Sequence, residues 1–77
     1  MQVIHSSARK HGVSDEDIRH AMSHPVSEIE LSEDRWLLIG PDRAANLLEL
    51  IVLVTDGSDE LAIHAMPLTD QHRRFLP

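Results

Sequence analysis

The sequence has no cysteine, no tyrosine, one tryptophan and only three glycines among its 77 residues. The absence of cysteine excludes a disulfide framework and a thiolate zinc site. The glycines are too far apart for a glycine-rich phosphate-binding loop. The longest apolar run, residues 50–54, is far shorter than the about 20 residues of a membrane-spanning helix, and no signal peptide is apparent at the N-terminus. We therefore expect one soluble, cytoplasmic domain over residues 1–77, with no membrane association.

Basic residues are also scarce, since seven Lys and Arg stand against 13 Asp and Glu, for a formal net charge of -6. Proteins that bind nucleic acid in general carry a basic face that neutralises phosphates, so this composition argues against that class. The bases concentrate near the two ends, as Arg9 and Lys10 and as Arg73 and Arg74. A local basic patch therefore remains compatible with an acidic chain.

Helix signals occur at both ends of the chain. Residues 6–11 indicate one or two helical turns that end at Gly12. Ser14 is a good N-cap, and the acids that follow it favour a second helix, which should stop near Ser23 because Pro25 disfavours the α conformation before it. Thr69 should cap a short C-terminal helix.

Between the helix signals lie four strand-like runs, which read SEIELS, RWLLIG, LLELIVLV and LAIHAMP. Short connections between them predict an antiparallel meander. The predicted fold class is α+β, a four-stranded antiparallel sheet with two N-terminal helices and one short C-terminal helix. Residues 2–4 are a candidate for an additional short edge strand.

The third run, residues 47–54, is apolar on both faces apart from Glu49. A sheet that is covered on one side only shows an alternation of apolar and polar residues. The pattern therefore predicts that a partner covers the second face, in a homodimer or a hetero-oligomer. The alternative is a central strand whose outer face is covered by long side chains or by the C-terminal helix.

Six histidines are many for this length. His20 and His24 have the i, i+4 spacing of metal ligands, but Pro25 places His24 beyond the helix, so we expect neither a metal site nor a cofactor. His64 lies within a strand, on a face that we expect it to share with Ala62 and Met66. It is either a hydrogen-bonded, partly buried residue or a general acid or base.

Histidine, lysine and arginine together suffice for RNA cleavage without a metal, since the 2′-OH can attack the adjacent phosphate when a base, cations and an acid are supplied. Lys10, His11, His64 and residues 72–74 are groups of these types. Their spacing alone is nearly unspecific. For the last trio, a solvated helix face is the default explanation of the charges.

The segments KHGVSDEDI, AMSHP, RWLLIG, LLELIVLV and LAIHAMP, with TDQHRRFL after them, occur in an order that resembles the BrnT-type toxins of type II toxin–antitoxin systems. The likeness extends over nearly the whole chain from Lys10, and KHGVS and RWLLIG are its closest matches. The resemblance implies a RelE-like ribonuclease fold, an RNA substrate, toxicity to translation and neutralisation by a small DNA-binding antitoxin protein.

The resemblance also implies roles for particular residues. Lys10 occupies a family position, Arg35 matches the arginine that opens the RFIxIG-like strand, and Arg73 or Arg74 matches a helix arginine. The arginines of the family's last strand are absent, and His64 stands in that strand instead. The resulting set is Lys10, His64, Arg73 and Arg74 for catalysis, with Arg9, His11, Arg35 and His72 as RNA contacts. The alternatives are a non-catalytic protein-binding module and a small homodimeric structural protein of the same fold.

Overall fold

The computed structural model describes all of residues 1–77. Its regular elements are five strands, one α-helix and two short 3-10 helices. In chain order they are β1 (Gln2–Ile4), the first 3-10 helix (Ser6–Arg9), α1 (Asp15–Ser23), β2 (Ser27–Ser32), β3 (Arg35–Pro41), β4 (Leu47–Val54), β5 (Glu60–Pro67) and the second 3-10 helix (Asp70–Phe75).

The predicted four-stranded antiparallel sheet with three helices is wrong. The sheet has five strands in the order β1-β5-β4-β3-β2, and it is mixed because β1 runs parallel to β5. Strands β2 to β5 form the predicted meander. Backbone hydrogen bonds join β1 to the far end of the chain: the His5 N–H donates to the Ala62 oxygen, and the Glu60 N–H donates to the Met1 oxygen, each at 2.9 Å. The candidate edge strand at residues 2–4 is confirmed as β1. Three residues are too few to show an alternating pattern, so its parallel pairing with the distant strand β5 could not be predicted from the sequence.

Only one of the three predicted helices is an α-helix. For α1, Ser14 is the N-cap that we expected, because its hydroxyl accepts a hydrogen bond from the Asp17 N–H at 3.2 Å, and the helix ends at Ser23. The segments Ser6–Arg9 and Asp70–Phe75 are 3-10 helices instead.

A side-chain hydrogen bond ties each of these two segments to the sheet. In the first, the Ser7 hydroxyl donates to the Ile63 oxygen at 2.7 Å, which ties the turn to β5. In the second, Thr69 stands at the N-cap but makes no side-chain capping bond. Its hydroxyl donates to the carboxylate of Glu49 at 2.6 Å. A helix of this length without its cap gains little from further α-type hydrogen bonds.

The helix α1 packs on one face of the sheet through a close backbone contact. A Cβ atom added at Gly40 on β3 would lie 2.4 Å from the carbonyl oxygen of Ala21 on α1, so only glycine fits there. The core between α1 and the sheet contains eleven buried residues: Ile4, Ala8, Ile18, Ala21, Met22, Leu38, Leu48, Leu50, Val52, Ala62 and Ala65.

The opposite face of the sheet is covered partly by the C-terminal segment of the same chain. Leu37 and Ile39 on this face are 1% and 0% exposed. The Ser27 hydroxyl donates to the Phe75 oxygen at 2.7 Å and so ties the second 3-10 helix to β2. The coverage expected from a partner is thus supplied in part within the chain, as in the alternative that the sequence left open.

The molecule measures 30 × 24 × 20 Å along its principal axes. None of its helices has the length and apolar character needed to cross a lipid bilayer.

Candidate functional site

Glu49 on β4 is the one charged residue that the fold buries, at 2% exposure. It lies on the sheet face opposite α1, because its neighbours Leu48 and Leu50 face the α1 core. One carboxylate oxygen, Oε1, accepts hydrogen bonds from the Thr69 N–H at 2.8 Å and from the Thr69 hydroxyl at 2.6 Å. Burying a carboxylate costs free energy unless its oxygens accept hydrogen bonds. Thr69 donates two such bonds, both to Oε1.

Two histidines supply the remaining hydrogen bonds to the carboxylate. The other carboxylate oxygen, Oε2, lies 3.2 Å from Nε2 of His64 on β5 and 3.0 Å from Nδ1 of His72 on the second 3-10 helix. The side chains of His64 and His72 are 30% and 23% exposed, so both rings reach the surface while Glu49 beneath them does not. We call Glu49, His64, His72 and Thr69 the His–Glu cluster.

A β-bulge in β5 directs His64 toward this cluster. The register shifts so that His64 lies opposite Ile51 and Ala62 lies opposite the next residue, Val52, which leaves Ile63 as the extra residue. The expectation that His64 and Ala62 share a face is therefore wrong, because the bulge interrupts the two-residue period. Ala62 enters the α1 core, and His64 lies on the other face of the sheet.

The hydrogen bonds keep Glu49 ionised. Burial acts to raise the pKa of its carboxyl, but the hydrogen bonds from Thr69, His72 and His64 outweigh that effect and lower the pKa from 4.5 to about 2. At neutral pH the cluster therefore contains a buried negative charge with four hydrogen-bond donors around it.

The charge of Glu49 determines the tautomers of both rings. An ionised carboxylate can only accept hydrogen bonds, so His64 must donate from Nε2 and His72 from Nδ1. The remaining nitrogens, Nδ1 of His64 and Nε2 of His72, have no partner within the chain. Each is a free proton acceptor in the neutral ring and a free donor in the charged ring. The arrangement is suited to proton transfer to or from a bound molecule.

A third histidine adjoins the cluster. The ring of His11 meets that of His64 edge to face, with 5.6 Å between their centroids. The first 3-10 helix, which is bonded to β5 through Ser7, delivers His11 and its neighbour Lys10 to this edge of the sheet. Lys10 is exposed and makes no ion pair.

Most of the arginines predicted to contact RNA or to act in catalysis already contact another side chain, so they are less free to bind a ligand than the histidines. Arg9 donates two hydrogen bonds to Asp15, each at 2.9 Å, and Arg73 donates one to Asp70 at 3.0 Å. The guanidinium of Arg74 lies 4.9 Å from the centroid of the Phe75 ring. Arg35 is exposed on β3 and has no ion-pair partner. Of the predicted set, the structure thus brings His64 and His72 together and places His11 beside them.

Sequence reasoning assigned no functional role to Glu49 or Thr69. A signal for Glu49 was present, since it is the only charged residue in the apolar run LLELIVLV. A carboxylate at such a position is buried, and a buried carboxylate requires donors from elsewhere in the fold. The spacing of histidines along the chain does not show that these donors are His64 and His72.

His20 on α1 and His24, the residue that caps its C-terminal end, are not arranged as a metal site. The rings of His20 and His24 stack with 4.4 Å between centroids. The Nδ1 atoms lie near backbone carbonyls, with His20 at 2.8 Å from the Pro41 oxygen and His24 at 2.9 Å from the His20 oxygen. No group of three or more His, Cys, Asp or Glu side chains has a geometry that could hold a metal ion.

No protein-family model matches the chain, and neither a curated protein nor a solved structure is significantly similar to it. The resemblance to the BrnT-type toxins therefore stays a prediction.

Proposed function

We propose that this protein is a toxin-like component of a type II toxin–antitoxin pair and cleaves RNA without a metal ion through the His–Glu cluster. The observation that carries the proposal is the pair of partly exposed imidazoles on one oxygen of a buried, ionised carboxylate. The segments that prompted the family resemblance contribute to the same region, since LLELIVLV contains Glu49, LAIHAMP contains His64 and TDQHRRFL contains His72.

In the proposed reaction the two histidines have opposite protonation states. Neutral His64 accepts the proton of a ribose 2′-OH at Nδ1, and the 2′-oxygen forms a bond to the adjacent phosphorus. The bond from phosphorus to the 5′-oxygen breaks, and charged His72 gives its Nε2 proton to that oxygen. The products are a 2′,3′-cyclic phosphate and a 5′-hydroxyl. Glu49 touches neither reacting group and acts as a positioning residue that fixes both tautomers.

Cationic side chains would stabilise the charge that develops on the phosphorane. Lys10 is the best candidate, because it is exposed, unpaired and adjacent to His11. Arg73 and Arg74 directly follow His72 in sequence, and the ion pair of Arg73 with Asp70 is at the surface, where an exchange of partner costs little. The cytoplasm, where messenger RNA is translated, is the compartment that this function requires.

The test is cleavage of a labelled RNA by the purified protein in the presence of EDTA. We expect a 2′,3′-cyclic phosphate product and no cleavage of the same strand with a 2′-deoxyribose at the scissile position. His64→Ala and His72→Ala should each reduce the rate roughly 100-fold or more, and Lys10→Ala should also reduce it. His24→Ala is the matched control, because His24 is an exposed histidine outside the cluster.

Full activity in both cluster variants would show that the site is wrong. A folded wild-type protein that neither cleaves RNA nor arrests growth would favour the second candidate, a non-catalytic protein-binding module of the same fold. The net charge of -6 and the pairing of Arg9 and Arg73 with carboxylates favour that candidate.

The partner expected for the leading proposal is a small DNA-binding antitoxin. A neighbouring gene for such a protein and its co-purification would support the pair, whereas an isolated gene would favour the binding module or a homodimeric structural protein. Light scattering at micromolar concentration distinguishes the predicted homodimer from a monomer. A strict monomer with no co-purifying partner would contradict the prediction of association.

A further inference from the structure

A groove on the α1 side of the sheet is separate from the His–Glu cluster. It has a volume of about 320 Å³, and its lining residues are Glu28, Trp36, Leu38, Val52, Val54 and Glu60. Leu38 and Val52 also belong to the core beneath α1, whereas Glu49 lies on the other face of the sheet. Any function of the groove is therefore independent of the function proposed for the histidines.

The groove exists because α1 covers only part of this face. The helix contacts the sheet closely at Gly40, near the end of β3. Trp36, near the start of β3, is only partly buried, and Val54 at the end of β4 is 37% exposed. The exposed apolar floor thus lies toward the end of the sheet where β3 begins, away from the close contact with α1.

The charges around this floor have one sign. Glu28 on β2 and Glu60 on β5 line the groove, and neither forms an ion pair within the chain. No lysine, arginine or histidine is among the lining residues. The two carboxylates come from strands on either side of β3 and β4, so the apolar floor lies between them.

We propose that this groove binds a linear segment of a partner protein that carries one large apolar side chain flanked by lysine or arginine. The volume is at the small end of the range of ligand pockets and suits one or two side chains rather than an extended interface. The apolar side chain would contact Trp36 and Val54, and the flanking cations would lie against Glu28 and Glu60. Cations can also pack on the face of an indole ring. Nucleic acid is excluded as the occupant, because its phosphates would meet two carboxylates.

Trp36 is the only tryptophan and no tyrosine is present, so its fluorescence reports on the groove directly. The probe is a capped peptide of sequence KRLFLRK, titrated into the full-length protein with excitation selective for tryptophan. We expect a saturable change of Trp36 emission, whose dissociation constant rises with salt. The acidic peptide EDLFLDE should produce no saturable change.

A matched pair of double variants tests the role of the two carboxylates. Glu28→Gln with Glu60→Gln should weaken binding of KRLFLRK at least tenfold. Glu16→Gln with Asp70→Asn changes the net charge equally at exposed positions outside the groove and should weaken it less than threefold. Equal weakening in both double variants would mean that binding depends only on the net charge of the protein, and this result would overturn the proposal.

Two further results would also overturn it. The first is the absence of any saturable change with KRLFLRK. The second is a dimer of the wild-type protein, by sedimentation velocity, that Val54→Arg converts to a monomer, because a second copy would then occupy the groove. The Glu28→Gln, Glu60→Gln variant should keep whatever RNA cleavage the wild type has, so failure of this proposal is distinguishable from failure of the proposed function.

Discussion

Replacement of Glu49 by glutamine should remove the contribution of this buried carboxylate to the pH dependence of stability in acid. In the wild type the folded-state pKa of Glu49 is lowered from 4.5 to about 2. A lowered carboxyl pKa contributes stability that is fully present above the unfolded-state value of 4.5 and is lost as the pH falls toward 2. Glu49→Gln cannot be titrated, so this contribution is absent from the variant at every pH.

The magnitude follows from the pKa. Each pKa unit corresponds to about 1.4 kcal/mol, so the fall from 4.5 to about 2 corresponds to about 3 kcal/mol in the free energy of unfolding at pH 6. The side chain of Glu49 is 3% exposed, so solvent screening reduces this value little. Small domains have a total stability of roughly 5–15 kcal/mol, and about 3 kcal/mol lowers the melting temperature of a domain of this size by roughly 12–24 °C.

Urea unfolding followed by circular dichroism, at several values between pH 6 and pH 2, measures this directly. The difference in unfolding free energy between the wild type and Glu49→Gln should be larger by about 3 kcal/mol at pH 6 than at pH 2. Hydrogen bonds from Arg9 and Arg43 also lower the pKa values of Asp15 and Asp17. The pH dependence of the wild type alone therefore does not isolate the contribution of Glu49. Both ion pairs are present in the variant, and their contributions cancel in the difference.

A difference that stays constant from pH 6 to pH 2 would refute the reasoning. It would mean that Glu49 contributes through packing alone and that its carboxyl is not held ionised by the four donors. Glu49→Gln can itself still form hydrogen bonds, since its amide can donate to rings of the opposite tautomer. Loss of RNA cleavage with retained folding at pH 6 would then identify the positioning role of the carboxylate.

Two further changes test the packing around the site. Gly40→Ala should destabilise the protein by about 1–3 kcal/mol, measured by urea unfolding, because the new Cβ would lie 2.4 Å from the Ala21 oxygen and α1 must shift. A stability equal to that of the wild type would contradict the close contact. Thr69→Val keeps the shape but loses the hydroxyl that donates to Glu49 at 2.6 Å, so we expect a loss of about 1.5–3 kcal/mol and a measurable rise of the Glu49 pKa by NMR titration. An unchanged pKa would show that the hydrogen bond from the backbone N–H of Thr69 is enough to keep the Glu49 pKa low.

The local parts of this fold could be predicted from the sequence. The Ser14 cap, the acids after it and the proline at position 25 specify α1 over a few neighbouring residues, and the structure confirms its limits. The four strand runs and their short connections likewise specify the meander of β2 to β5. In each case the determining interactions lie within one segment or between adjacent ones.

The parts that could not be predicted depend on contacts between distant segments. The candidate strand at residues 2–4 is placed correctly, but its parallel pairing with β5 is not predicted. The second 3-10 helix likewise lacks its expected cap, because the hydroxyl of Thr69 donates to Glu49. The extra residue Ile63 moves the side chains of the residues after it in β5 to the opposite face of the sheet from the one that a regular strand would give. Nothing in the sequence LAIHAMP indicates this bulge. The candidate site depends on all three effects, because they place His64, His72 and His11 at one position on the sheet.

The His–Glu cluster combines a structural and a chemical role in one side chain. Oε1 of Glu49 binds only Thr69 and so attaches the C-terminal segment to the sheet, while Oε2 orients the two imidazoles. His64 is fixed by β5, whereas His72 belongs to a six-residue 3-10 helix whose attachment includes Thr69 and Ser27. Release of that segment would separate the two histidines and, at the same time, expose the buried face of β3. The apposition of the imidazoles therefore depends on the same contacts that close this face of the sheet, and any partner that loosens the C-terminal segment would also disassemble the proposed site.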